Sequence, residues 1–72
     1  MNLNELSPGR SATITQLPMD PDLRCRIQSL GLRIGRRVAV IRRARMGGPL
    51  QVRVGTTDLL IRPQQAVQVL VK

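Results

Sequence analysis

Few side chains in this chain could take part in chemistry. The sequence contains no histidine or tyrosine, one cysteine and only four acidic residues. Acid–base and nucleophilic catalysis need several such groups within hydrogen-bonding distance of one another. The acids are scattered, and Asp20 and Asp22 fit the start of a helix while Asp58 fits a turn. We therefore predict that the protein is not an enzyme.

A metal or cofactor site would need ligands that the sequence does not group together. Zinc and iron(II) sites draw on clusters of histidine, cysteine and carboxylate. Cys25 stands alone between Arg24 and Arg26, and a lone cysteine on a helix is more typical of a small packing residue. We predict no cofactor within one chain. Carboxylates or Cys25 from two chains could still share a metal ion, so a metal-bridged homodimer remains an alternative.

Positive charge is the strongest feature of the composition. Twelve lysine and arginine residues against four acids give a net charge of +8, and every cation except Lys72 is an arginine. The arginine fork suits phosphate and carboxylate groups, so an anionic partner is one expectation and a solvated surface is the other. One segment is especially rich in these residues: Arg33, Arg36, Arg37, Arg42, Arg43 and Arg45.

This arginine-rich segment raises the alternative of a basic SH3-like module that binds nucleic-acid phosphates. The chain has no Phe, Tyr or Trp, so bases have no aromatic ring on which to stack. In a regular strand the arginines would also be divided, with Arg37 and Arg43 on the face opposite Arg36 and Arg42. Nucleic acid is therefore the second hypothesis rather than the first.

Glycine and proline divide the chain into pieces of strand length. Between them, apolar side chains mostly alternate with polar ones, as expected for half-buried strands. Five strands are predicted, over residues 10–16, 36–44, 50–54, 57–61 and 67–71. No repeat or linker interrupts them, so residues 1–72 are expected to form a single domain. The predicted fold is mainly β, a small barrel of about five strands with one short α-helix inserted after the first strand.

One interval has the pattern of a helix instead. Asp20 supplies an N-cap acceptor, Pro21 occupies the first helical position, and Gly31 provides the stop. The predicted core-facing residues have helical spacing and are Leu23, Ile27 and Leu30. Asp20 also lies four residues before Arg24, so an ion pair along the helix is expected.

No segment has the pattern of a signal peptide or of a membrane span. The N-terminus has neither a basic start nor an apolar run, and the longest apolar runs fall far short of the ~20 residues that a spanning helix needs. A single cysteine fits a reducing compartment. We expect a cytoplasmic protein with no direct membrane insertion, which reaches a membrane only through a protein partner or through charge.

Several spaced motifs together resemble a known family. They are Pro8-Gly9 before the first strand, Leu30-Gly31-Leu32-x-x-Gly35 after the helix, Val38-x-Val40, and Gly48-Pro49 at a hairpin. The chain resembles the FeoA family, ferrous iron transport protein A, over essentially its whole length. The pattern is also similar to the C-terminal SH3-like domains of iron-dependent and manganese-dependent bacterial repressors, so a detached domain of that kind is an alternative.

The resemblance implies an SH3-like barrel that acts as an accessory or regulatory protein of bacterial ferrous iron uptake. The implied partner is the cytoplasmic part of FeoB, a membrane transporter with a G-protein domain. No iron-carrying residues come with the motif, so the implied role is to bind and regulate.

The expected partner surface combines the exposed face of the helix with nearby loops. Its residues are Arg24, Cys25, Gln28, Arg33, Met46, Gly47, Gly48 and Pro49. Each has a simpler explanation, since exposed charges are often only solvated and glycine and proline suit a turn. A homodimer is a further alternative, because Leu60 and Leu70 are expected on outward faces.

Overall fold

Five antiparallel strands form one sheet in the computed structural model, which describes residues 1–72. The strands are β1 (Ser11–Gln16), β2 (Arg37–Arg43), β3 (Leu50–Val54), β4 (Thr57–Ile61) and β5 (Leu70–Val71). Their order across the sheet is β4-β3-β2-β1-β5. The other elements are the helices α1 (Pro21–Ser29) and α2 (Pro63–Ala66) and a 3₁₀ helix (Leu3–Glu5). The prediction of a mainly β fold with a helix after β1 is confirmed.

No strand pairing joins the two edges of the sheet. The edges are β4 and β5, so closure into a barrel is not confirmed. The start of the chain covers the β5 edge, where the Leu3 N–H donates to the Val69 carbonyl and the Val71 N–H donates to the Met1 carbonyl, each at 2.8 Å. The outer side of β4 pairs with no other strand. The sheet is therefore protected at one edge and open at the other.

A single cluster of 16 buried apolar residues forms the core. Every strand contributes to it, for example Ile14, Val38, Val52, Ile61 and Val71. No polar or charged side chain is buried. Removal of apolar surface from water, at about 25 cal/mol per Å², is therefore the main force that holds the sheet and helices together.

The helix α1 begins and ends where the sequence predicts. The Asp20 side chain accepts a hydrogen bond from the Leu23 N–H at 3.1 Å and caps the first turn. After the last turn, Gly31 adopts a positive φ of 103°, which a residue with a side chain resists. The Leu32 N–H then donates to the Ile27 carbonyl at 3.3 Å. This is the hydrogen bond of a Schellman cap, and it turns Leu32 into the core.

One predicted core residue of α1 lies outside the core. Ile27 is fully buried and Leu23 packs against the core in part, but Leu30 is 40% exposed. The helix ends at Ser29, and Leu30 is its C-cap. The prediction for Leu30 is wrong because the helix ends before this residue. Helical spacing predicts burial only for residues within the part of the helix that packs on the core.

A β-bulge in β2 changes which arginines share a face. The pairing register with β3 shifts between Val40 and Arg42. The extra residue places Arg42 on the outer face together with Arg37, while Arg43 pairs with the buried Leu50. A regular strand would place Arg37 and Arg43 on one face, so that expectation is wrong.

Two short helices do not show in the sequence patterns. Residues 67–71 have the alternation of a strand, but only Leu70–Val71 forms one because α2 and a turn take up the preceding chain. Pro63 begins α2 at the first helical position, and the Arg62 N–H donates to Gln65 Oε1 at 3.2 Å. A capping box likewise supports the 3₁₀ helix. Neither α-helix has the length and apolarity that crossing a bilayer requires.

Candidate functional site

The chain contains one ion pair, between Arg53 and Asp58. Arg53 Nε and Nη2 donate to the two carboxylate oxygens at 2.6 and 3.0 Å, and Gln51 Nε2 donates to Asp58 Oδ2 at 3.2 Å. Asp58 lies within β4, directly opposite Arg53 on β3, so its assignment to a turn is wrong. No group of three or more histidine, cysteine or acidic side chains lies together where it could hold a metal ion.

The ion pair shifts the ionisation of both partners. The hydrogen bond from Arg53 lowers the pKa of Asp58, loss of solvent around the carboxyl opposes this shift, and the hydrogen bond from Gln51 adds to it. The same Arg53–Asp58 hydrogen bond is the main cause that raises the pKa of Arg53. Because both side chains are exposed, the pair adds little to stability.

Asp58→Asn is expected to weaken the dependence of stability on pH in the acid range. The pKa of Asp58 in the folded state lies below its value of about 3.9 in an unfolded chain. The carboxylate therefore stabilises the fold above that value, and this contribution is lost as the pH falls through the folded-state pKa. Urea unfolding between about pH 2 and pH 6 measures the difference.

Asp22→Asn is the matched control for this experiment. It removes an exposed carboxylate on α1 to which no side chain donates a hydrogen bond. If both variants changed the slope of stability against pH equally, the hydrogen bond from Arg53 would not be the cause.

The predicted site residues of α1 are exposed. Arg24, Cys25 and Gln28 all lie on the solvent side of the helix, and Cys25 is a free thiol. The expected ion pair between Asp20 and Arg24 does not form. Arg24 Nη1 instead donates to the Met19 carbonyl at 3.3 Å, while the Asp20 carboxylate caps the helix. The guanidinium of Arg24 therefore has no acidic partner.

Strand β2 separates the predicted site residues into two groups. α1 and Arg33 precede the first residue of β2, Arg37, whereas residues 44–49 follow its last residue, Arg43. A strand of 7 residues spans about 20 Å. Arg24, Cys25, Gln28 and Arg33 therefore precede this strand, and Met46, Gly47, Gly48 and Pro49 follow it. An extended strand of this length favours two separate surfaces.

The first of these regions, the helix-end surface, has an apolar part that the sequence patterns do not show. We define this surface by Arg24, Cys25, Gln28, Leu30, Arg33 and Ile34. Leu30 is 40% exposed and Ile34 is 64% exposed. No sequence pattern distinguishes Ile34 from Leu32, which lies between the same two glycines, Gly31 and Gly35, and is fully buried. Apolar and cationic side chains thus occur together at this end.

The second region, the hairpin-end surface, is rich in arginine. We define it by Arg42, Arg45, Met46, Leu60 and Arg62. Arg42, Arg45 and Leu60 line an open groove of 410 Å³. Arg62 borders an adjoining groove of 250 Å³ that also includes Gly47. The three arginines are exposed, and their side chains make no hydrogen bond or ion pair within the chain.

Met46 adopts an unfavourable backbone conformation at the tip of the hairpin. It is fully exposed, and it is the only residue other than glycine with a positive φ, at 58°. Left-handed backbone costs an L-amino acid roughly 1 to 2 kcal/mol. The hairpin therefore holds an apolar side chain in water at a position where glycine would fit better.

Two residues of the arginine-rich segment bind other parts of the chain. Arg43 Nη1 donates to Asn4 Oδ1 at 2.8 Å, and Nη2 donates to the carbonyls of Asn4 and Leu6 at 2.5 and 3.3 Å. Arg37 Nη2 donates to Ser11 Oγ at 2.7 Å. The other four arginines are divided between the two ends of the sheet, so the segment does not form one continuous basic face.

Solved structures of FeoA proteins share this fold. An iron uptake regulatory protein (FeoA) is 26% identical to this chain with a TM-score of 0.92, and the match covers 100% of this chain and 95% of that one. FeoA of Stenotrophomonas maltophilia, complexed with zinc and described as a procaryotic SH3 domain protein, is 29% identical with a TM-score of 0.86. That match covers 100% of this chain and 89% of that one.

A manganese-dependent transcriptional repressor has the same fold in part of its length. It is 19% identical with a TM-score of 0.89, over 99% of this chain and 40% of that one. No curated protein sequence matches the chain significantly. The family model of the FeoA domain matches residues 1–72. The chain therefore belongs to the FeoA domain family, which has an SH3-like fold and is implicated in ferrous iron transport.

Proposed function

We propose that this chain is a cytoplasmic accessory protein of bacterial ferrous iron uptake that binds the cytoplasmic part of a FeoB-type membrane transporter. Its membership of the FeoA domain family supports a role in ferrous iron transport. The Stenotrophomonas maltophilia relative is described as a candidate activating factor for that transport. In this proposal the chain acts by binding to the transporter.

Exposure of Leu30 and Ile34 is the observation that carries the proposal. Both belong to the short segment that follows α1, and they are 40% and 64% exposed. Arg24 on α1 and Arg33 next to Ile34 are exposed as well. An apolar centre with a charged border is the usual composition of a protein interface. A partner that covered both side chains would gain about 25 cal/mol for each Å² of apolar surface removed from water.

The helix-end surface is also held in a fixed shape before any partner binds. Asp20 caps the start of α1, and the hydrogen bond from Leu32 to Ile27 closes its end. Ile27 attaches the helix to the core. Because little chain has to be ordered on binding, little of the interaction free energy is lost to conformational entropy.

A pull-down against the purified cytoplasmic part of the cognate transporter tests this proposal. The double variant Arg33→Glu/Ile34→Ser is expected to bind about thirtyfold more weakly, since loss of a central apolar residue and a bordering charge amounts to roughly 2 kcal/mol. Arg45→Glu/Met46→Ser makes the same kind of change at the hairpin end and should bind like the unaltered chain. Absence of binding at both low and moderate salt would remove the proposal. An equal loss in the two variants would assign the contact to another surface.

The second candidate is a homodimer that is bridged by a metal ion. It is favoured by one observation, which is that the FeoA of Stenotrophomonas maltophilia was crystallised in complex with zinc. One copy of this chain does not supply a zinc ligand set, so an ion would need the exposed thiol of Cys25 or carboxylates from two copies. Sedimentation over a range of concentrations, with and without zinc, decides between the arrangements. A zinc-dependent dimer that Cys25→Ser abolishes would establish the bridge, and a monomer throughout would remove it.

A further inference from the structure

We propose that the hairpin-end surface, formed by Arg42, Arg45, Met46, Leu60 and Arg62, binds the anionic headgroups of a phospholipid bilayer. This interaction is separate from the proposed contact with a transporter, because it uses the opposite end of the sheet. It concerns the surface of the bilayer and involves no spanning segment.

Unopposed positive charge is the first observation that supports lipid binding. The two grooves at this end include Arg42, Arg45 and Arg62, and neither groove contains an acidic residue. Asp58 is engaged by Arg53 and Gln51. At the helix end, by contrast, two acids of the α1 N-terminus accompany the arginines. Guanidinium groups bind phosphate oxygens readily, and an anionic membrane surface attracts such clusters.

The apolar side chains among these cations are the second observation. Met46 is fully exposed, and Leu60 is 65% exposed on the edge strand β4. Side chains of this kind, flanked by cations, suit the boundary between headgroups and acyl chains. A nucleic-acid backbone would leave both in water, and the chain has no aromatic residue on which bases could stack. The combination therefore favours a lipid surface over nucleic acid.

The position of Met46 is the third observation. Its backbone has a positive φ of 58° between Arg45 and Gly47, and its side chain contacts nothing that would compensate for this conformation. Strained backbone at an exposed tip is typical of a residue that is held ready for a ligand. Insertion among lipid headgroups would bury Met46 and let the neighbouring arginines reach phosphates at the same depth.

Co-sedimentation with vesicles tests the proposal without any transporter. The chain should bind phosphatidylcholine vesicles that contain about a third phosphatidylglycerol, and it should not bind pure phosphatidylcholine. Each arginine near the surface contributes about fivefold in affinity, so Arg42→Gln/Arg45→Gln/Arg62→Gln should weaken binding on the order of a hundredfold. Circular dichroism confirms that the variant is folded.

The matched control is Arg24→Gln/Arg26→Gln/Arg33→Gln. It lowers the net charge by the same amount but acts at the helix end. It should retain most of the binding, because its arginines precede β2 and the hairpin follows that strand of about 20 Å. Charges farther apart than a Debye length of about 10 Å are largely screened. An equal loss in both triple variants would mean that only net charge matters, and this would overturn the proposal.

A fluorescence measurement locates the contact independently of charge. The chain contains no tryptophan, so Met46→Trp introduces a single fluorophore at the tip of the hairpin. Its emission should shift to shorter wavelength with anionic vesicles, while Met19→Trp at the helix end should not shift. No shift at position 46, or equal shifts at both positions, would overturn the proposal. Tighter binding to a mixed-sequence oligonucleotide than to vesicles at equal phosphate concentration would assign the surface to nucleic acid instead.

Discussion

Replacing Ile27 with alanine is expected to lower the free energy of unfolding by about 2 to 5 kcal/mol. Ile27 is fully buried, and it is the only residue of α1 that is. Its truncation leaves a cavity and also weakens the attachment of the helix to the sheet, because Leu23 is only partly buried. Domains of this size often have only about 3 to 5 kcal/mol from their core. Urea unfolding followed by circular dichroism measures the change.

Leu30→Ala is the matched control, since the sequence pattern predicts the same core position for Leu30 as for Ile27. The structure leaves Leu30 as an exposed C-cap, so its truncation should change stability by less than about 1 kcal/mol. Comparable losses in the two variants would mean that α1 continues past Ser29 and packs through both residues.

Arg43→Met is expected to lower the free energy of unfolding by about 1 to 3 kcal/mol. The guanidinium donates to Asn4 and Leu6, and it thereby ties the start of the chain to β2. Hydrogen bonds from a charged donor contribute about 1.5 to 3 kcal/mol when shielded, and solvent at this site reduces that contribution. Methionine keeps the apolar stem but removes the donors. Hydrogen exchange at the Leu3 amide, which bonds to Val69, should become faster.

Arg42→Met separates this effect from a general effect of charge. Arg42 is the neighbouring residue on the same strand, and its side chain makes no hydrogen bond. Its replacement should change stability by no more than about 0.5 kcal/mol. If the two variants were equally destabilised, or if exchange at Leu3 were unchanged by Arg43→Met, the hydrogen bonds of Arg43 would not hold the start of the chain.

The elements of the fold that the sequence predicts are those with local causes. In α1, the cap, the first-turn proline and the stop glycine lie within a dozen residues, and each acts on its immediate neighbours. Strands β1 and β3 are likewise predicted by alternation, and β4 is predicted by a short apolar segment that follows a turn. The ends of α1 and the positions of these strands depend on the conformational preferences of neighbouring residues, which can be read from the sequence.

The features that the sequence does not predict depend on residues far apart in the chain. The bulge in β2 is a mismatch of register with β3, and neither strand shows it alone. Arg43 binds Asn4, which lies 39 residues earlier. The exposure of Leu30 depends on where the core ends and not on its spacing within α1. In each case the deciding contact forms only after the sheet has assembled.

The separation of the two surfaces could have been predicted from the order of the elements. α1 precedes β2 and the hairpin follows it. Because a strand is extended, the segments at its two ends lie far apart unless the strand bends sharply. The expectation that Arg33 lies close to residues 46–49 did not take this constraint into account, and it stays a prediction. Exposure of Ile34 and the strain at Met46 could not be predicted in the same way, since both depend on three-dimensional packing.

A core without a single buried polar side chain allows wide sequence divergence. Exchanges among valine, isoleucine, leucine and methionine that conserve volume usually cost less than about 1.5 kcal/mol each. A buried ion pair, in contrast, would require two matched substitutions in the same lineage. Many unrelated-looking sequences can therefore encode this sheet. Over evolutionary time, selection can act on the exposed ends almost independently of the interior, so partner choice can change while the scaffold persists.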